Sequence, residues 1–253
     1  MAVVGILEDM DRDALATTIR DNLEQLHAQI AHAAQRAGRQ AHEIKLIAVS
    51  KNQPAPAIDA AVAAGQRAFG ENTAQEALIK IPQFADQGLE WHFIGHLQAN
   101  KAKLIPGNFT CVHSLDSVKL AQRLARFANE KNIALDCLLE VNITRDPAKH
   151  GVLAEQVAPL LDQLLKENLA NLKLRGLMTI GPHPASETER RTAFAALRQL
   201  RDHCRQQYPL PYFTELSMGM SGDFAEAIAE GSTLVRVGTA IFGQRDYQPR
   251  TLK

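Results

Sequence analysis

The sequence has few cysteines, no excess of either charge and no long apolar run, and each lack removes a class of protein. Only three cysteines occur among 253 residues. They form no CxxC pair, which argues against a disulfide framework and a cysteine-based zinc site. Lysine plus arginine and aspartate plus glutamate both number 28, so no basic surface for nucleic acid or an anionic membrane is expected. No basic region precedes the short apolar patch at the N-terminus, so neither a signal peptide nor a membrane span is predicted. These features predict a cytoplasmic protein with reduced thiols.

Short apolar segments instead alternate with helix-like segments at spacings of about 25 to 30 residues, the rhythm of a (β/α)8 barrel. The predicted strands are 44–51, 67–70, 91–95, 109–113, 134–141, 172–179, 213–217 and 233–237. A doubly wound open sheet is the main alternative, but it favours a GxGxxG turn after the first strand, and residues 50–60 contain no glycine. No linker divides the chain, so residues 1–253 are predicted to form one domain.

A long amphipathic helix is predicted ahead of the first strand, over residues 11–39. Apolar side chains recur there every three or four residues, at Leu15, Ile19, Leu23, Leu26, Ile30 and Ala34. Because this helix precedes the first strand, we expect it to cover the outside of the barrel. It is an addition to the α/β barrel.

Among the helices that follow, the third is predicted over residues 96–104. The fourth is predicted to be capped at its N-terminus by Asp116.

Polar residues follow the predicted strands, where the carboxyl ends of barrel strands meet at one rim. Lys51 ends the first strand. The glycine-containing loops 216–223 and 235–240 follow strands seven and eight, which is where barrels commonly bind phosphate. A rim lysine beside a phosphate site suggests imine chemistry with an aldehyde. The residues alone leave two ligands open, a sugar phosphate and pyridoxal phosphate.

The motifs resemble those of the pyridoxal phosphate homeostasis protein family, which is itself similar to the N-terminal barrel of alanine racemase. They occur in order over about residues 15–245. The segments that carry the resemblance are AVSK (48–51), FGEN (69–72), WHFIGHLQANK (91–101), EVN (140–142), KHG (149–151), RGLMT (175–179), LSMGMSGD (216–223) and VRVGTAIFG (235–243).

The resemblance implies a bound pyridoxal 5'-phosphate (PLP) and a role for each matching residue. Lys51 would hold PLP as an internal aldimine, and Arg236 would face the pyridine nitrogen. Ser221, with the backbone of Gly238 and Thr239, would hold the phosphate. The remaining side chains, which would line the ring and its edge, are Asn72, His92 and Met178. No metal site is predicted, because the histidines at 92, 96, 113 and 150 match no ligand pattern.

The family resemblance further implies a role in intracellular PLP homeostasis, as a carrier or regulator of free PLP that indirectly affects amino-acid and keto-acid balance. Its partners would be PLP itself and, transiently, PLP-dependent apo-enzymes. A guanidinium cannot give the ring nitrogen a proton, so Arg236 would make the ring a weak electron sink, and no catalytic residue is predicted.

Two enzymes remain as alternatives: a PLP-dependent amino-acid racemase, whose activity could be weak, and a Schiff-base sugar-phosphate lyase. A racemase needs a second acid–base group, which in racemases looks to come from a C-terminal β-domain. The sequence ends about ten residues after Gly243, and Tyr247 is expected to be an ordinary tail residue. With no added domain and no net charge, a monomer is expected.

Overall fold

Eight parallel strands close into a barrel in which each strand pairs with the next and β1 pairs with β8. The protein is described by a computed structural model that covers residues 2–167 and 169–243, with side chains from residue 12 onwards. The strands are β1 (Lys45–Val49), β2 (Ala68–Glu71), β3 (Glu90–Phe93), β4 (Cys111–Leu115), β5 (Leu135–Glu140), β6 (Leu172–Met178), β7 (Glu215–Ser217) and β8 (Leu234–Val237). The predicted barrel is therefore confirmed.

Helices surround this barrel. They are α1 (Ala2–Arg36), α2 (Ala55–Ala63), α3 (Ala74–Lys80), α4 (Val118–Lys131), α5 (Val157–Lys166), α6 (Glu187–Gln207), α7 (Phe224–Ala229) and α8 (Thr239–Phe242). Short 3-10 helices occupy Ala41–Glu43, Ile81–Gln87, Ala99–Leu104 and Ala154–Gln156. Over the described residues, no helix combines the length and apolar character that crossing a membrane requires.

The strands are buried on both faces, which explains their almost continuous apolar sequence. Outward-facing side chains pack beneath the helices in one large core. Inside the barrel a second, smaller apolar cluster contains Ile47, Ala68, Cys111, Leu138, Met178 and Leu234. Polar groups share that interior, and most of them lie towards the carboxyl ends of the strands.

The N-terminal helix α1 packs on the barrel through the predicted apolar stripe. The stripe residues that are almost fully buried are Ile19, Leu23, Leu26, Ile30 and Ala34. The helix begins earlier than residue 11 and ends at Arg36 rather than at residue 39. Gly38 ends it, with φ +68 and a hydrogen bond from Arg39 N to Ala34 O at 2.8 Å. The Asn22 amide also donates to Ile241 O at 2.9 Å, which joins α1 to α8.

Two further local predictions were wrong in detail, and one helix was not predicted. The segment predicted as a helix from residue 96 stays extended until Gln98 and becomes a 3-10 helix at Ala99, because burial of Leu97 fixes the chain against the core. Helix α4 is capped by Ser117, whose hydroxyl accepts from Leu120 N at 3.4 Å, and not by Asp116. Helix α8 was not predicted, because a single turn carries too little periodicity to detect.

Candidate functional site

Lys51 lies half-buried in the turn that follows β1, two residues after Val49. The residue on each side of it is held by a neighbouring element. Ser50 is fully buried, and its hydroxyl donates to Glu71 Oε1 at 2.6 Å. Asn52 has a left-handed backbone with φ +60, and its N–H donates to Glu76 Oε1. The turn therefore presents Lys51 from a fixed backbone.

A buried ion pair supports this turn from β2 and α3. Lys80 Nζ lies 3.0 Å from Glu71 Oε1 and 2.6 Å from Glu76 Oε1, and it also donates to Ser50 O at 2.7 Å. Burial raises the pKa of Glu71, while the bonds from Ser50 and Lys80 favour its charged form. Because one cation joins both carboxylates and the main chain, the position of the turn is set by α3. We call Ser50, Glu71, Glu76 and Lys80 the turn clamp.

Arg236 places a positive charge inside the barrel near the end of β8. Only 5% of the residue is exposed. Its Nη1 donates to Ser217 Oγ at 2.5 Å and its Nη2 donates to Thr179 O at 3.0 Å. Burial lowers its pKa to about 10, opposed by the charges of Asp223 and Glu140. The guanidinium therefore remains a cation at neutral pH.

The loops after β7 and β8 are joined to each other. Arg236 N donates to Gly219 O at 3.0 Å. Gly219 has φ +96, and a Cβ there would lie 2.7 Å from the Ala227 Cβ, so the turn requires glycine. The Asp223 carboxylate accepts from Met220 N at 2.6 Å, and burial raises its pKa. Ser221 lies half-buried within this closed turn.

The loop after β8 also reaches the end of β1. A Cβ on Gly238 would lie 3.2 Å from Val49 O and 3.3 Å from Val49 Cβ. Thr239 is exposed and begins α8, whose first amides have no acceptor within the helix. Loops that carry Lys51, Ser221 and Gly238 thus meet at neighbouring strand ends of one rim.

Asn72 and Met178 lie at other strand ends of the same rim. Asn72 follows β2 and is half-buried. Its carbonyl oxygen would lie 2.1 Å from a Cβ on Gly95, so these two loops approach more closely than any residue except glycine permits. Met178 ends β6 and is almost fully buried in the apolar cluster inside the barrel.

His92 lies within the barrel and contacts a second histidine, His113. Its Nδ1 is 2.9 Å from His113 Nε2, and His113 Nδ1 is 2.8 Å from Ser217 Oγ. The register pairs His92 with Cys111, so His113, two residues further on, shares the interior face. The sequence favoured packing or hydrogen bonding over metal binding for His113, and the structure agrees. Its partners were not predicted, because only a known strand register would have revealed them.

Glu140 is a second polar group inside the barrel. It belongs to the EVN motif (140–142), but the sequence predicted no role for it. It ends β5, is 5% exposed, and its Oε2 is buried with no hydrogen-bond partner in the described part of the chain. Burial raises its pKa to about 7; Asp116 adds to the rise and Arg236 opposes it. A Cβ on Gly151 would lie 2.9 Å from Glu140 Cγ, so the loop after β5 folds directly over this carboxyl.

Comparison with known proteins connects this geometry to a family. The model of the alanine racemase N-terminal domain matches residues 22–246. A pyridoxal phosphate homeostasis protein of Vibrio cholerae serotype O1 is 44% identical over 234 residues, which cover 91% of this chain and 98% of that protein. The chain belongs to the pyridoxal phosphate homeostasis protein family. The resemblance read from the motifs is therefore confirmed.

Solved structures of the family share the architecture. PipY of Synechococcus elongatus PCC7942, in its structure without PLP, superposes with a TM-score of 0.80 at 42% identity, covering 89% of this chain and 100% of PipY. Its structure with PLP bound gives a TM-score of 0.75 at 41% identity, covering 85% and 100%. An alanine racemase of Clostridium difficile 630, at 14% identity and a TM-score of 0.67, shows a common fold only, over 92% of this chain and 57% of the racemase.

The structure explains why two positions in the family motifs require glycine. Gly95 of the WHFIGHLQANK run lets the loops after β2 and β3 touch, and Gly219 of LSMGMSGD lets the loop after β7 turn onto α7. Tyr247, the tail residue noted in the sequence, lies outside the described residues.

Proposed function

We propose that this protein binds pyridoxal 5'-phosphate covalently through Lys51 and controls the level of free PLP in the cell. One observation carries the proposal: Gly238 packs on Val49, so the loop after β8 lies beside the turn that bears Lys51. When bound, PLP supplies an aldehyde that condenses with a lysine amine. The names of relatives and the PLP-bound PipY structure support the same ligand.

The surrounding residues fit the other parts of this ligand. Ser221 and the main chain at Gly238 and Thr239 offer a hydroxyl and amide N–H groups for the phosphate, in loops joined by the Arg236 N–H. Glu140 Oε2, buried without a partner in the described structure, is a polar atom that a ligand at the rim would satisfy. Asn72, His92 and Met178 stay predicted contacts of the ring and its edge.

Arg236 argues for carriage rather than catalysis. Its guanidinium, held by Ser217 and Thr179, is proposed to donate to the pyridine nitrogen. A pKa of about 10 means that Arg236 stays charged at neutral pH and keeps its protons. The ring nitrogen would therefore remain unprotonated, and the ring would withdraw electrons weakly from a reacting carbon. That suits a protein that stores PLP and passes it to apo-enzymes.

The binding test uses absorption and chemical trapping. The purified protein with added PLP should absorb near the visible edge, lose that band on borohydride reduction, and then carry the PLP mass on the peptide containing Lys51. Lys51→Ala should lose the band and remain folded. Lys149→Ala, a lysine whose Nζ donates to Gly181 O at 2.8 Å near the strand ends, is the matched control and should keep it. An adduct on any other residue would contradict the proposal.

The carrier role has its own tests, separate from binding. The PLP-loaded protein is mixed with a PLP-dependent apo-enzyme in the presence of a scavenger that removes free PLP. The activity of that enzyme should return faster than release of PLP into solution would allow. Saturable conversion of L-alanine to D-alanine would instead establish a racemase. Borohydride trapping of a sugar phosphate, without PLP binding, would establish a lyase.

A further inference from the structure

Four side chains form a continuous line of hydrogen bonds through the interior of the barrel. Arg236 Nη1 donates to Ser217 Oγ at 2.5 Å, Ser217 Oγ is 2.8 Å from His113 Nδ1, and His113 Nε2 is 2.9 Å from His92 Nδ1. All four residues are at least 95% buried. They come from β8, β7, β4 and β3, so the line crosses the barrel. We call it the interior chain.

The chemistry of the donors fixes the direction of this chain. A guanidinium can only donate, so Ser217 Oγ accepts from Arg236. Among the described residues, the Ser217 hydroxyl contacts only Arg236 and His113, and Arg236 cannot accept, so its proton goes to His113 Nδ1, which accepts. Neutral His113 therefore carries its proton on Nε2 and donates to His92 Nδ1. Every hydrogen bond points away from Arg236.

His92 is the last member of the chain, and its other ring nitrogen has no hydrogen-bond partner in the described residues. With Nδ1 accepting, its proton lies on Nε2, which faces Glu90 Oε2 at 3.6 Å. That separation is too long for a hydrogen bond but places the N–H beside a carboxylate, which Lys45 also contacts. Burial lowers the pKa of both histidines, in agreement with the neutral rings that the chain requires.

A metal ion is the competing explanation for this cluster. Donor atoms of His92, Cys111 and His113 lie within 4.8 Å of one another. The facing histidine nitrogens, however, are at hydrogen-bond distance, and burial raises the pKa of the Cys111 thiol, which keeps it protonated. The geometry favours the hydrogen bond.

We infer that Ser217 and His113 are positioning residues that hold the Arg236 guanidinium towards the pyridine nitrogen of PLP. This inference rests on the proposed function. Without His113 as acceptor, the Ser217 hydroxyl could rotate and turn its proton towards Arg236, which would push the guanidinium off its position. His113 thus acts on the ligand through Ser217 and Arg236.

The first test needs no PLP and so is independent of the proposed function. Nitrogen-15 NMR of histidine-labelled protein, prepared without PLP, reports which ring nitrogen carries the proton. We expect neutral His113 and His92, each protonated on Nε2. His113 protonated on Nδ1, or on both nitrogens, would overturn the inference. So would a stoichiometric metal in the purified protein.

The second test measures PLP itself. Ser217→Ala and His113→Leu should release PLP about tenfold faster than wild type and shift the absorption band of the bound ligand, because each removes a hydrogen bond that orients a charged group. His113→Asn, whose Oδ1 can replace the Nδ1 acceptor, should restore both measurements towards wild type. Gln66→Leu is the control: this residue is 5% exposed, and its amide donates to Leu46 O at 2.9 Å and to Ala68 O at 2.6 Å ahead of β2, away from the rim. If Ser217→Ala behaves like Gln66→Leu in both measurements, the positioning role is wrong.

Discussion

Glu140 is deeply buried, and because burial raises its pKa, stability should depend on pH. Its pKa is about 7 in the folded protein and near the ordinary 4.5 in the unfolded chain. Between these values the folded state keeps a proton that the unfolded chain has lost, so the free energy of unfolding falls as pH rises. This loss of stability is absent below pH 4.5 and complete above pH 7.

Glu140→Gln should therefore raise the free energy of unfolding of the PLP-free protein more at pH 8 than at pH 5. The difference between the two effects should be about 2–3 kcal/mol. Urea unfolding of wild type and variant at pH 5, 6.5 and 8 measures this. Glu130→Gln, at an exposed glutamate in α4, should give no comparable trend. Equal effects of Glu140→Gln at all three pH values would mean that Glu140 is ionised normally in the fold.

The turn clamp makes a second prediction for single residues. Lys80→Met leaves the fully buried Glu71 without its cation, so we expect a loss of about 3 kcal/mol in the free energy of unfolding. The double variant Lys80→Met with Glu71→Gln should recover much of that loss, since no buried charge remains. Lys166→Met, at the exposed end of α5, is the control. No recovery in the double variant would show that Lys80 acts by packing alone.

Site residues differ in how far sequence could find them. Lys51 and Arg236 follow from strand ends and motifs. His113 does not, because its role depends on meeting Ser217, 104 residues away, and one sequence carries no strand register. A register shift within the β4–β5 pair adds to that difficulty. Lys80 was similarly hidden, since its helical position alone does not reveal a partner in β2.

Helix α1 illustrates what is predictable for whole elements. Its apolar stripe was predicted and is buried, because a period of 3.6 residues is a strong signal over many turns. The extended segment before Ala99 and the single turn of α8 were not predicted, because tertiary contacts set them. Burial of Leu97 and the Asn22–Ile241 hydrogen bond are contacts of this kind.

The stripe of α1 should contribute strongly to stability. Leu23 is 1% exposed in the core, so Leu23→Ala should lower the free energy of unfolding by about 3 kcal/mol. The neighbouring exposed Glu24 gives a control, and Glu24→Ala should change stability by less than about 0.5 kcal/mol. Chemical denaturation measures both. A loss below about 1 kcal/mol for Leu23→Ala would mean that α1 is only loosely attached to the barrel.

The closed barrel sets a prediction for the molecule as a whole, because the proposed ligand would lie at only one of its two ends. PLP should slow amide hydrogen exchange in loops at the carboxyl ends of the strands, at 50–53, 218–223 and 237–242. Amides at the amino ends, such as 231–233, should exchange at unchanged rates. Hydrogen-exchange mass spectrometry with and without PLP tests this. Protection at both ends alike would indicate general tightening rather than a ligand at the rim. The monomeric state, the single domain over 1–253 and the cytoplasmic location stay predictions.

The pairing of β1 with β8 also determines when, during its synthesis, the protein becomes able to bind PLP. Ala48 lies opposite Val237, so the last strand must dock against the first before the Gly238 loop reaches the Lys51 turn. A nascent polypeptide on the ribosome has Lys51 long before it has Arg236. Until translation passes the last strand, the growing chain lacks three of its proposed binding residues, Arg236, Gly238 and Thr239, and fragments from interrupted translation would sequester no vitamin B6.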